Sequence, residues 1–106
     1  MSILSVNEEI LLIAILSLKD EAYGFPILKK VIETTGKKIV YGTLYNSLDN
    51  LVKKGYIRVR KGDPTSMRGG KRKVYYSITP AGKQAIMETK DLHESLLDRL
   101  SELALE

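Results

Sequence analysis

Four basic residues, Arg68, Lys71, Arg72 and Lys73, crowd into one short segment that also holds Gly69 and Gly70. Cations packed this way suit a polyanion, because each phosphate they neutralise releases condensed counterions. They belong to a wider imbalance. Residues 53 to 73 carry a net charge of +8, residues 1 to 52 carry −1 and residues 88 to 106 carry −4, while the whole chain is only +4. Charge alone leaves both a nucleic-acid contact and a solvated basic loop open. A second set of residues, Tyr41, Thr43, Tyr45, Asn46, Asp49, Asn50 and Lys53, offers hydroxyls, amides and charges along one short stretch. Among these, an Asn amide is able to pair with adenine through two hydrogen bonds.

Other chemistries lack their residues. The absence of Cys removes disulfides, thiolate metal sites and thiol nucleophiles together, and fits a reducing compartment. His93 is the only histidine, so a metal site or pH sensor has no second imidazole to complete it; a satisfied interface histidine is the expectation. No nucleophile with a base and no phosphate loop of the usual spacing is present. Neither enzymatic activity, catalytic residues, metal nor cofactor is expected. The longest apolar run, Ile10 to Leu16, is far short of the ~20 residues of a membrane span and follows Glu8 and Glu9 rather than Lys or Arg. A cytoplasmic protein without membrane association is expected.

Both residue sets need a scaffold. Ser5-Val6-Asn7-Glu8 has the spacing of a capping box and predicts a first helix over Val6 to Leu18. Its middle is apolar on every face, more than one small core can cover, which calls for a partner subunit. Asp20 to Gly24 reads as a turn. A second helix follows from about Phe25 to Thr35, with Pro26 in its first turn, Ile27, Leu28, Val31 and Ile32 as its buried stripe and Gly36 as its stop. A third helix spans Tyr41 to Lys54, with Leu44, Leu48, Leu51 and Val52 on its core side and Gly55 as its cap. The polar set occupies its other side.

Tyr56 to Arg60 and Lys73 to Ile78 alternate with period two and predict two strands joined by a hairpin tip rich in Gly and Pro. Phe25, Tyr75 and Tyr76 are expected to pack within this wing and the core. Thr79-Pro80 opens a last helix. Along it Ile86, Thr89, His93, Leu96, Leu100 and Leu103 recur at 3-4-3-4-3 spacing, widened by Leu92 and Leu97. With no later element to pack on, this stripe predicts a symmetric dimer in which Leu92, Leu96, Leu100 and Leu103 meet the surplus face of the first helix, Ile10 and Ile13.

The order is that of a winged helix-turn-helix, mainly α with a small β-hairpin, over residues 1–79, with a C-terminal dimerisation helix over 80–106. The chain resembles the PadR family of bacterial transcriptional regulators, of the short type with one C-terminal helix. The resemblance is carried by Tyr23-Gly24, by Gly42-Thr43-Leu44-Tyr45 with Leu48 and Leu51, by Lys54-Gly55-Tyr56-Ile57, and by Arg72 to Thr79 with Gly82. It implies repression by a homodimer bound to a double-stranded operator, often relieved by a small organic molecule; a pseudo-palindromic site and a small hydrophobic or aromatic effector seated between the subunits are further expectations built on it. The resemblance places the Tyr45 hydroxyl at a phosphate; Tyr41, Gly42, Thr43 and Asn46, at the N-terminal end of the third helix where side chains most often reach bases, and Arg68, Lys71, Arg72 and Lys73 on the wing, suited to phosphates, complete the expected DNA contacts. Tyr45 adjoins Leu44 and is open to a core role as well; Lys37, Lys38 and Lys53 are secondary phosphate candidates. Val40-Tyr41 and Asn46 depart from the family, which often has Ser-Pro and a proline there. A winged-helix adaptor for protein or RNA is the competing reading.

Overall fold

Ser5 starts the first helix through the reciprocal bonds its spacing requires. The Glu8 N–H donates to Ser5 Oγ at 3.2 Å, and the Ser5 N–H donates to Glu8 Oε1 at 2.9 Å. In the computed structural model, which describes residues 3–62 and 73–105, helix α1 runs over Val6–Leu18 and is followed by a short 3₁₀ turn, Lys19–Glu21. Helices α2, Gly24–Thr35, and α3, Tyr41–Lys53, precede strands β1, Ile57–Lys61, and β2, Val74–Ile78; helix α4 covers Pro80–Ala104. The fold is the winged helix expected, helical with one antiparallel hairpin that pairs Ile57 with Ile78 and Lys61 with Val74.

Most departures from the sequence reading are at element ends. The third helix stops at Lys53 and the first strand starts at Ile57, one residue from each expected boundary. The cause is Tyr56: its N–H donates to the Leu51 carbonyl at 3.0 Å while Gly55, at φ 79°, bonds back to Val52 at 2.9 Å. This double closure of a helix end takes the Tyr56 N–H out of the strand ladder, although its carbonyl still accepts the Thr79 N–H at 3.0 Å. The expected turn at residues 20–24 is more structured than a turn, since the Tyr76 N–H donates to the Ala22 carbonyl at 2.8 Å and Tyr23 bridges to Tyr75. Alternation along β1 does not translate into alternate burial; only Ile57 is buried, because β1 is the outer strand and β2 lies between it and Tyr23. Phe25 is a correction too. It is 57% exposed rather than packed, because α2 turns Ile27 and Val31 to the core.

The core joins Leu11, Leu12 and Ile15 of α1, Ile27 and Val31 of α2, Leu44, Leu48 and Leu51 of α3, Ile57 and Tyr76 of the hairpin and Ala85 of α4. Helix α4 opens on Thr79, which accepts the Gly82 N–H at 3.1 Å and donates to the Gly55 carbonyl at 2.6 Å. Its first turns are tied to the body through buried Thr89, whose Oγ1 accepts the Leu4 N–H at 3.1 Å. Beyond Leu92 its side chains are exposed. Among the described residues no helix is long and apolar enough to cross a membrane.

Candidate nucleic-acid interface

With Leu44, Leu48 and Leu51 of α3 fixed in the core, a 3.6-residue turn sends Gly42, Asn46, Asp49, Asn50 and Lys53 to the opposite side, and all five are exposed. Asn46 sits near the centre of that outward face, with no side-chain hydrogen bond to any described residue. A Cβ on Gly42 would meet nothing within 4 Å. Tyr41 and Tyr45 occupy one flank, their rings stacked with centroids 5.9 Å apart and planes 19° apart. Tyr45 also lies against α2, where its hydroxyl fills the place a Cβ on Gly24 would take. Tyr45 is a half-exposed ring on a flank of α3, outside the buried core.

Thr43 lies apart from them. It is on the other flank, towards α1, where with Ser47 it lines a cleft of about 340 Å³ walled by Val6, Ile10, Leu11 and Leu44. The structure therefore brings Tyr41, Gly42, Tyr45 and Asn46 onto one continuous surface and leaves Thr43 at its far edge. On the same side as Thr43, at the end of the helix, Lys54 pairs with Glu8 Oε2 at 2.6 Å. Burial would raise the Glu8 carboxyl, but its bonds to Lys54 and Ser5 outweigh this and hold it below the ordinary value; the Lys54 ammonium is raised in turn, first by the hydrogen bond to Glu8 and then by its charge. Lys37, Lys38 and Lys53 are all exposed. Beneath the surface the Tyr76 phenol is raised by burial and by the nearby Tyr45 and Asp49, so it stays neutral.

Of the basic wing residues, Arg68, Lys71 and Arg72 lie outside the described residues. Lys73 is described: its ammonium sits 4.5 Å from the centroid of the Tyr23 ring. Across the hairpin, the Arg60 guanidinium lies 4.6 Å from the Tyr75 centroid. Sequence reasoning missed Tyr23, Gly24 and Arg60 as parts of this surface. The period-two relation of Lys73 to Tyr75 carried some of the signal, but the pairing of Tyr23 with β2 left no local mark.

The residues expected at a dimer interface separate by depth. Ile10 and Leu92 are half-buried, whereas Ile13, Leu96, Leu100 and Leu103 are more than half exposed, together with Leu97. His93, on the same helix stripe, is exposed and bonds through Nε2 to Glu9 Oε1 at 2.8 Å.

Solved structures share this architecture. A PadR family transcription regulator from Clostridium difficile R20291 is 26% identical, with a TM-score of 0.65 over 93% of this chain and 98% of its own. A transcriptional regulator from Clostridium thermocellum is 28% identical, with a TM-score of 0.68 over 90% of this chain and 89% of its own. A PadR-like transcriptional regulator from Bacillus cereus, at 22% identity, shares the fold with a TM-score of 0.71 over 95% of this chain and 93% of its own. No curated protein sequence matches the chain. The family model described as the transcriptional regulator PadR-like family matches residues 12–88, from the second turn of α1 to the third of α4. The chain belongs to the PadR-like family of transcriptional regulators, which bind DNA and are not enzymes.

Proposed function

We propose that this regulator is a dimeric repressor whose α3 helices enter successive major grooves of a pseudo-palindromic operator. The observation that carries the reading is the outward face of α3, where Asn46 keeps its amide free beside the stacked Tyr41 and Tyr45. Gly42, open on its outer side, lets a groove edge approach the helix backbone. Tyr45, Lys73 and the remaining wing cations suit phosphates, which position the protein, while Asn46 suits a base edge, which specifies it. Dimerisation is supported by two unpartnered apolar surfaces on one chain, Ile13 and Leu16 of α1 and the Leu96 to Leu103 stripe of α4. Release by a small hydrophobic molecule is supported by the cleft between α1 and α3, whose polar rim includes Asn7, Lys37 and Thr43.

The test is recovery of bound fragments from genomic DNA, followed by competition at physiological salt. A repressor of this kind favours one short inverted repeat over random DNA by ~10³-fold or more. Equal affinity for both sinks specific recognition and favours the adaptor reading.

A further inference from the structure

Where the hairpin meets α2, cations and rings alternate in one row: Lys73, Tyr23, Tyr75, Arg60. Lys73 Nζ is 4.5 Å from the Tyr23 centroid, the Tyr23 and Tyr75 rings meet edge to face at 5.5 Å and 67°, and Arg60 is 4.6 Å from the Tyr75 centroid. The backbone fixes the order. Arg60 stands directly opposite Tyr75 in the strand register, Tyr23 bridges Tyr75 from the other edge, and Lys73 precedes Tyr75 by two residues, so all four share the sheet face opposite buried Tyr76. The next residue, Gly24, is the one against which Tyr45 rests, so the row begins at the flank of α3.

Neither cation of the row pairs with a carboxylate among the described residues; the ion pairs there are Lys54 with Glu8, Lys90 with Glu94 and His93 with Glu9. The difference is physical. A carboxylate fixes a cation by cancelling its charge, whereas an aromatic face fixes it and leaves the charge available to a third group. We propose that Tyr23 and Tyr75 are positioning residues for DNA binding, holding Lys73 and Arg60 as two fixed, un-neutralised charges for phosphates that flank the groove entered by α3. The proposal rests on the DNA-binding reading and adds Tyr23, Tyr75 and Arg60 to it.

The experiment measures affinity of the full chain for a short random-sequence duplex across a salt series, since phosphate contacts need no operator. Lys73→Gln and Arg60→Gln each lower the slope of log affinity against log salt by about 0.9, one phosphate apiece. Tyr23→Leu weakens binding roughly two- to fivefold, the range of an exposed cation–ring contact, and Tyr23→Phe, which keeps the ring, binds as the parent does. In the Lys73→Gln background Tyr23→Leu costs nothing more, and Tyr75→Leu behaves in the same way towards Arg60→Gln. Thermal melts verify folding, and if Tyr23→Leu does not fold, the Tyr75 cycle and the two salt slopes decide. Losses that multiply in the double variants, or slopes unchanged by both glutamines, overturn the proposal while leaving DNA binding intact. A parent protein that ignores the duplex at every salt concentration overturns both.

Discussion

Gly24→Ala separates stability from DNA binding. A methyl group there would collide with the Tyr45 hydroxyl and stand 3.3 Å from Tyr45 Cζ. The obstacle is the far end of a flexible side chain, so the ring swings away at a rotamer cost of about 0.5–1.5 kcal/mol. Against this, replacing Gly by Ala in an ordinary helical conformation gains ~0.4–1 kcal/mol by restricting the unfolded chain. The two nearly cancel, and the melting temperature should move little. DNA binding should not be spared. If the Tyr45 hydroxyl donates to a phosphate, its displacement forfeits a bond to a charged group worth ~1.5 kcal/mol, about tenfold in affinity. Fluorescence anisotropy with a labelled duplex reads that loss and calorimetry reads the stability. Tyr45→Phe should lose the same tenfold, and Gly24→Ala should add nothing to it. Losses that multiply, or a Gly24→Ala protein that binds like the parent, would refute the assignment of Tyr45 to the DNA backbone.

Gly82→Ala should behave in the opposite way, because its methyl group would meet the Tyr56 carbonyl oxygen and stand 2.8 Å from Ile78 Cγ1. Backbone has little room to yield, so overpacking costs ~1–3 kcal/mol, read as a melting temperature lower by roughly 4–8 °C per kcal/mol. Leu96→Asp combined with Leu100→Asp should convert a dimer to a folded monomer in sedimentation velocity, since each side chain is over half exposed and loses no contact within the protomer core; a persisting dimer would discount α4 as the interface. Glu8 has a folded-state pKa below its ordinary 4.5, so its stabilisation is present above that value and fades as pH falls through the folded one. Glu8→Gln still accepts the Ser5 N–H but cannot pair with Lys54 as an ion, so its urea midpoint should fall less than the parent's on acidification. An identical acid response in both proteins would show that the pair contributes nothing.

Legibility in the sequence followed locality. The capping box at Ser5, the left-handed glycines Gly36 and Gly55 and Pro80 after Thr79 act within a few residues of themselves, and the helices they bound were readable almost to the residue. The leucine periodicity of α3 correctly separated its buried side from its polar one. What escaped was the division of the polar side. Thr43 and Tyr45 are adjacent in any list of hydrogen-bonding residues, yet one faces α1 and the other α2, and only the packing of three helices assigns them. The part of Tyr23 was illegible for the same reason, since it depends on a strand partner more than 50 residues away. Phe25 misled because aromatic character was read as burial, while its place on the second residue of α2 turns it outward.

Two consecutive carboxylates on α1 connect surfaces that the sequence reading treated separately. Glu8 holds Lys54 at the end of α3, and Glu9 holds His93 on α4. Neighbours in a helix point about 100° apart, a consequence of 3.6 residues per turn, so one strut reaches both the reading helix and the helix proposed to join the subunits. In the proposed operator-bound dimer the two α3 helices must be spaced by about one DNA turn, ~34 Å, and with α4 as the interface that spacing would depend on how α1 joins α3 to α4. The cleft opens on the α3 side of this strut, bordered by Ile10 and Thr43. A molecule wedged there, as proposed for the effector, would press on the angle between α1 and α3, which the Glu8–Lys54 pair resists, while the Glu9–His93 and Leu4–Thr89 bonds keep α1 aligned with α4. The proposed effector would therefore change operator affinity by straining the Glu8–Lys54 pair and the core leucines that hold α3, without first dissociating the dimer.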